Sequence, residues 1–242
     1  MSGLLALVGA GEYLETMEAV DRRLLAEVGR ARAKPPVVVC VPAAAGAEGE
    51  ASVERWAQQG VRHFTRLGAA AQAARVVDRA SADDPRWEAM IAAADLVYFS
   101  GGDPLYLYRT LAGSRAWDAV AAAQARGAVL AGCSAGAMIL GRQVPDVAAP
   151  ELALHSAFGA LPASLILPHF DQLEGYRPGL TATVQDSLSE GEYALGIDEH
   201  TALVGRPGEA WEVLGAGTAA LLTRNERRVF PAGSRVTLPG PA

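Results

Sequence analysis

The sequence predicts an α/β fold: a mostly parallel, doubly wound sheet with helices on both faces and antiparallel hairpins at its C-terminal end. Three observations carry that reading. Apolar runs of strand length alternate with stretches of helical periodicity over residues 4–140, the order that builds parallel sheets through right-handed crossovers. The runs end in glycine-rich or small-residue loops, which gathers those loops at the carboxyl edge of the sheet, where ligands bind in such folds. From Tyr193 onward short strands separated by Gly and Pro turns replace the alternation, as hairpins require.

Residues 4–8 form the first strand and feed Gly9-Ala10-Gly11-Glu12, a tight strand-to-helix turn. A dinucleotide fingerprint would need a glycine where Leu14 stands, and Glu12 would repel a pyrophosphate, so nucleotide binding is not expected. Met17, Val20, Leu24, Leu25 and Val28 recur at helical spacing after Thr16, a candidate cap, and Lys34-Pro35-Pro36 stops that helix. The β-branched run Val37–Val41 suits a strand buried on both faces. After a loop over residues 42–50 come a helix containing Val53 and Trp56, a strand at residues 75–77, and a helix opened by Ser81 or Asp83 ahead of Pro85. Leu96–Phe99 is the next strand and ends in Ser100-Gly101-Gly102-Asp103-Pro104, whose paired glycines let backbone N–H groups approach a ligand without Cβ obstruction.

Helices are expected at Pro104–Leu111 and over residues 114–125, and an irregular stretch over residues 141–161. Residues 165–167 form a strand that ends in Pro168-His169-Phe170-Asp171; residues 176–188 read as a helix and Tyr193–Ile197 as a strand. The tail reads as hairpins closing one side of the sheet. Neither an internal repeat nor a long linker interrupts this order, so residues 1–242 are expected to form a single domain.

The most informative stretch is residues 128–140. An apolar strand runs into Gly132-Cys133-Ser134-Ala135-Gly136, and good helix formers follow. G-x-S-x-G between a strand and a helix is the nucleophile-elbow spacing: small flanking residues let the backbone bend tightly, and the serine hydroxyl stands clear of the sheet edge. The first N–H groups of the helix then face the same point and offer donors to an oxyanion. Ser134 is therefore the candidate nucleophile. Elbow hydrolases take a second oxyanion donor from a separate loop, and the Gly101-Gly102 loop can supply it.

His169, at the carboxyl end of a strand, has the position a general base requires, unlike His63 and His155, whose surroundings are polar or loop-like. Asp198, Glu199 and His200 are adjacent and would point to opposite faces of a strand. No second cluster completes a shell, so a structural role is expected there and no metal site. Cys133 precedes the exposed elbow position and should point into the core; with Cys40 it reads as a small buried residue, and no disulfide framework is present.

Hydrophobic residues make up 50% of the 242 and charged ones 20%, enough apolar surface for a substantial core. A net charge of −6 without a basic stripe argues against a nucleic-acid partner. The short apolar run at the N-terminus lacks a basic flank and ends too early for a signal peptide, and no stretch approaches the ~18 apolar residues of a membrane span. A cytoplasmic protein with no membrane contact is the expectation.

Gly9-Ala10-Gly11-Glu12, Phe99-Ser100-Gly101-Gly102-Asp103, Gly132-Cys133-Ser134-Ala135-Gly136-Ala137, Pro168-His169-Phe170 and Gly196-Ile197-Asp198-Glu199-His200-Thr201-Ala202-Leu203 together resemble the peptidase E and cyanophycinase family of serine peptidases. The resemblance covers nearly the whole chain. It implies a flavodoxin-like, class I glutamine amidotransferase-like fold, with Ser134 as nucleophile, His169 as base, and Ala135 and Gly102 as backbone oxyanion donors. It also implies a triad acid in the loop between serine and histidine. Asp146 fits that arrangement best and Glu151 second; Asp171 is third, because amidotransferase relatives place their acid two residues after the histidine.

Substrate contacts are implied for Gly101, Asp103 and Arg177, the arginine as the cation for an N-terminal aspartate side chain. Cyanophycinases carry an Asp-Gln pair before the histidine and several arginines after it, where this chain has Leu167-Pro168 and Arg177 alone. The resemblance therefore favours a serine peptidase acting on short peptides with a free N-terminus, Asp-Xaa dipeptides among them. Cyanophycinase-like or other amide hydrolysis, a Cys133 nucleophile, and a non-catalytic binding module are the alternatives. The chemistry requires neither metal nor organic cofactor, its partner is a small peptide, and a monomer or homodimer is expected.

Overall fold

The computed structural model describes residues 3–29, 34–146, 149, 151–162 and 164–240. Its elements run β1 (Leu5–Val8), α1 (Glu18–Gly29), β2 (Val37–Val41), α2 (Glu50–Arg66), β3 (Ala70–Ala73), α3 (Pro85–Ala92), β4 (Leu96–Phe99), α4 (Pro104–Leu111), α5 (Arg115–Ala125), β5 (Val129–Cys133) and α6 (Ala135–Met138). Then follow β6 (Gln143–Pro145), β7 (Leu154–Ser156), β8 (Ser164–Leu167), α7 (Phe170–Tyr176), α8 (Leu180–Ser187), β9 (Tyr193–Ile197), β10 (Thr201–Gly205), β11 (Ala210–Gly215), β12 (Thr218–Leu222), β13 (Arg227–Pro231) and β14 (Arg235–Thr237).

An eight-stranded sheet has the order β14-β11-β10-β1-β5-β4-β2-β3. Its members β1, β5, β4, β2 and β3 are parallel, and β10, β11 and β14 extend it as antiparallel strands beyond β1. The helix starts follow from local chemistry. Asp84 caps α3 with Pro85 in the first turn, Asp103 caps α4 ahead of Pro104, and Ser114 caps α5, each side chain accepting from a first-turn N–H. In register, Val8 lies opposite Cys133 and Phe99 opposite Gly132. The loops after β1, β4 and β5 therefore emerge side by side.

The tail departs from the expectation of hairpins on one side of a single sheet. Only β10, β11 and β14 join the first sheet; β9, β12 and β13 belong with β8 to a six-stranded sheet of order β13-β12-β9-β8-β6-β7, in which β9 pairs with β8. Two of its strands, β6 and β7, lie within the stretch expected to be irregular and pair antiparallel. The third strand of the first sheet is Ala70–Ala73, not residues 75–77, because Ala74 N donates to Cys40 O at the end of the β2 ladder. The single helix expected over residues 176–188 is two, α7 and α8, separated by Pro178, which has no N–H to give, and Gly179 at φ 79°. Thr16 does not cap α1; its Oγ1 lies 3.0 Å from His200 Nδ1.

Three apolar clusters divide the packing. One face of the first sheet carries Ala6, Val38, Tyr98 and Ala131 against Leu24 of α1 and Phe64 of α2. Its other face carries Leu5, Leu7, Val97 and Leu203 against helices α3 to α6 and against Ile166, Leu195 and Leu221 of the second sheet. The far face of the second sheet is covered by Leu173 of α7 with Leu180 and Val184 of α8. No described helix is long and apolar enough to cross a membrane.

Beneath the first cluster, His63 of α2 is buried, against the expectation of polar surroundings, and its Nε2 lies 2.7 Å from Asp21 Oδ2 of α1. Burial pushes the Asp21 carboxyl up, against the opposing pull of its His63 partner. Replacing either Asp21 or His63 by Ala leaves the other buried without its partner, and urea unfolding should report a loss of about 3–5 kcal/mol. The double replacement by leucine should cost less than either single one; an additive loss would mean that the two side chains act independently.

Candidate active site

The site begins with a bend. β5 is buried throughout, and the residue after it, Ser134, takes φ 49° and ψ −114°, a conformation that L-residues avoid and that costs on the order of 1–3 kcal/mol. The surroundings hold it there. Ser134 N donates to Val8 O at 2.9 Å, tying the elbow to the end of β1, and Ser134 O accepts from Ala137 and Met138 N–H as α6 starts. The elbow also needs close backbone contact. A Cβ on Gly132 would lie 2.2 Å from Gly136 O, and one on Gly136 would lie 2.6 Å from Phe99 O of β4.

The hydroxyl so presented meets an imidazole from the other sheet. Ser134 Oγ lies 3.0 Å from His169 Nε2, and His169 Nδ1 lies 2.7 Å from Glu199 Oε1. A carboxylate at Nδ1 selects the tautomer with the proton on that nitrogen, leaving Nε2 to accept from the serine hydroxyl. His169 follows β8 in a left-handed conformation, φ 49° and ψ 39°, and Glu199 lies in the loop between β9 and β10. The parallel pairing of β8 with β9, with Leu167 opposite Gly196, brings the two loops together.

The Glu199 loop is held at each of its residues. Asp198 Oδ2 accepts from Thr218 N at 2.8 Å and Thr218 Oγ1 at 2.7 Å. Glu199 N donates to Asp171 Oδ1 at 2.9 Å. His200, at φ 54°, donates its backbone N–H to Ala10 O at 3.2 Å. Although burial works to raise it, the Asp171 carboxyl is held below the usual range by the Glu199 N–H and by Gln172.

These positions redistribute the acidic candidates. Asp146 is not brought to His169: its carboxylate lies 3.8 Å from His155 Nε2 and accepts from Ala149 N, while its N–H joins the β6–β7 ladder through Ala153 O. Glu151 is exposed in the same hairpin. Asp171 reaches the backbone of Glu199. The carboxylate on the imidazole is Glu199, expected to be structural because alternation along a strand was assumed for residues that form a turn. Glu199 lies two residues beyond the strand that pairs with the strand preceding His169, a pairing that no local feature of the sequence states.

Around the hydroxyl, the Gly101 N–H donates to Glu12 Oε1 at 2.7 Å and is unavailable to a ligand. Gly102, at φ 140° and with room for no Cβ because Ala44 O would lie 2.4 Å away, keeps an N–H with no acceptor among the described residues. Ala135 N is the first in α6, where a helix has no acceptor of its own. Asp103 is committed to capping α4, accepting from Tyr106 N at 2.9 Å. Cys133 is buried and donates its thiol to Glu12 Oε2 at 3.0 Å. Burial, and then the Glu12 charge, push that thiol well above its ordinary pKa, so it stays protonated and turned from the cavity.

A cavity of about 370 Å³ opens over Ser134, Gly102 and His169, within the size range of small-ligand sites. Met138, Leu167, Leu173 and Leu180 make its walls apolar, with Tyr176 and Arg177 also lining it; Tyr176 is 74% exposed. Among the described residues no group of three or more His, Cys, Asp or Glu side chains could hold a metal ion. The arrangement can deprotonate a hydroxyl, direct it at a carbonyl in the cavity and hold the resulting oxyanion on two N–H groups.

The model of peptidase family S51 matches residues 4–213. Among solved structures, a peptidase from an acI-B1 Actinobacterium is 35% identical, with a TM-score of 0.88 over 98% of this chain and 97% of that one. A candidate peptidase E protein from Listeria monocytogenes EGD-e is 18% identical, with a TM-score of 0.63 over 90% of this chain and 100% of that one, a likeness of fold. No curated protein sequence matches the chain. The fold is accordingly of the flavodoxin-like, glutamine amidotransferase-like type. On the extent of the family match, the chain belongs to peptidase family S51 and is a serine peptidase.

Proposed function

We propose that the enzyme hydrolyses short peptides with a free N-terminus through a Ser134–His169–Glu199 triad, residues 1–242 acting as one unit. The observation that carries this reading is the unbroken run of contacts from Ser134 Oγ, which lines the cavity with His169, through the imidazole to Glu199. His169 Nε2 takes the hydroxyl proton as Oγ attacks the scissile carbonyl. The C–O bond forms, the carbonyl oxygen becomes an oxyanion on Gly102 and Ala135 N–H, and collapse expels the amine with the proton from His169. Water, deprotonated by the same imidazole, then releases the acyl group. Glu199 keeps the imidazole in its working tautomer and stabilises the imidazolium that forms. Each oxyanion donor is worth about 3 kcal/mol in the transition state.

The volume of the cavity suits a ligand of dipeptide size, and its apolar walls suit an uncharged side chain. Arg177 on the same wall supports an acidic group in the substrate, which makes Asp-Xaa dipeptides the first members of a screen against Glu-Xaa and neutral dipeptides.

Replacing Ser134 by Ala should abolish peptide hydrolysis and fluorophosphonate labelling while the thermal unfolding profile is kept. Glu199→Gln should lower kcat by ~10²–10⁴, whereas Asp146→Asn should leave kcat/KM near wild type; the reverse ranking would return the acid to Asp146. Asp171→Ala, which removes the acceptor for Glu199 N–H, should lower kcat by ~10–100-fold with little change in KM, by analogy with outer-shell partners elsewhere. Asp171→Asn, retaining an acceptor oxygen, should restore most of it, and steady-state kinetics on the best dipeptide of the screen measures both.

A further inference from the structure

The serine-peptidase reading leaves one carboxylate beside the nucleophile without a role. Glu12 Oε1 accepts from Gly101 N at 2.7 Å and Oε2 accepts from the Cys133 thiol at 3.0 Å. Donors on both oxygens are what an ionised carboxylate takes. Among the described residues it forms no ion pair. Its other side faces a groove shared with Arg62, His63 and Arg66, and each of these is engaged elsewhere: Arg62 with Gln58, His63 with Asp21, Arg66 with Glu18. A negative charge this near an oxyanion site opposes the reaction unless a positive charge joins it.

The position of Glu12 indicates where that positive charge would sit. A Cβ built on Gly101 would lie 3.0 Å from Glu12 Oε1, 3.3 Å from Ser134 Cβ and 3.7 Å from Ser134 Oγ. The backbone of Gly101 does not demand glycine, since its φ lies outside the left-handed region. The missing side chain lets the carboxylate and the nucleophilic serine approach each other with no side-chain atom between them. In a peptide with a free N-terminus the α-nitrogen is about 2.5 Å from the carbonyl carbon of the same residue, from bond lengths alone. With that carbon under attack by Oγ, the nitrogen is held within a few ångströms of the hydroxyl, which puts it in reach of the carboxylate that stands beside the serine.

We propose that Glu12 is a substrate-binding residue: its carboxylate receives the α-ammonium of the residue whose carbonyl is attacked, and so makes a free N-terminus a requirement at this site. The proposal rests on Ser134 being the nucleophile. Glu12 would bind without taking part in bond making, and its two existing hydrogen bonds hold the carboxylate beside the nucleophile. Each carboxylate oxygen has lone-pair capacity left for an ammonium proton.

The test uses two diphenyl α-aminoalkylphosphonates that differ only in whether the amine is free or N-acetylated, and follows their covalent labelling of Ser134 by intact-protein mass spectrometry. The wild type should be labelled about tenfold or more faster by the free amine, the scale of one charge-assisted hydrogen bond. In Glu12→Gln that ratio should fall toward one, Glu12→Asp should recover part of it, and Gly101→Ala, which sets a methyl between the carboxylate and the serine, should also lower it. A ratio unchanged in Glu12→Gln, with both rates falling together, would show a scaffold role only and overturn the proposal. A wild type with no preference for the free amine, or labelled by fluorophosphonate but by neither reagent, would overturn it as well. Failure of fluorophosphonate to label Ser134 is the separate result that removes the serine-peptidase reading.

Discussion

Ser134 and His169 come from different sheets, so their 3.0 Å contact exists only because the two sheets pack with the carboxyl ends of β5 and β8 side by side. Leu5, Leu7 and Leu203 on one sheet and Ile166, Leu195 and Leu221 on the other share a single buried cluster that sets this approach. Close-packed interiors transmit small displacements and deform little. The spacing of hydroxyl and imidazole is thus inherited from the core, and neither residue could be placed by its own loop alone.

Strain is concentrated around the Ser134–His169–Glu199 contacts. Ser134, His169 and His200 all have positive φ; Ser134 N is tied to Val8 O and His200 N to Ala10 O, while His169 O accepts from Gln172 N in the first turn of the helix it caps. Positive φ at non-glycine residues persists only where the surroundings over-determine it. The loop after β1 contributes twice, through Ala10 to the Glu199 turn and through Glu12 to Gly101 and Cys133. That loop, which reads in sequence as a broken nucleotide-binding turn, links the Cys133-Ser134 bend to the Glu199 turn.

Local signals in the sequence place Ser134, the Gly101-Gly102 loop and His169 just beyond strand ends, where the structure also has them. Each sits at the end of an apolar run, and a strand-turn-helix pattern is written within a dozen residues. The carboxylate that contacts His169 was not legible in the same way, because its identity depends on which strand lies next to β8. Nothing local to Glu199 states that β9 pairs with β8 in parallel, and the assumption of strand alternation across Asp198, Glu199 and His200 fails once His200 adopts φ 54°. The same non-local information divides the C-terminal strands between two sheets, so the strands themselves were readable and their partners were not. His63 shows the converse: its helix was legible, but its burial against Asp21 depends on the packing of α2 on α1.

The central claim is that the imidazole shared by the two sheets is oriented by Glu199. The most direct measurement is proton NMR of the His169 Nδ1–H, assigned by its loss in His169→Gln. The account predicts a strongly downfield resonance in the wild type that persists in Asp146→Asn and disappears or moves far upfield in Glu199→Ala. A resonance that survives in Glu199→Ala and moves in Asp146→Asn would contradict it.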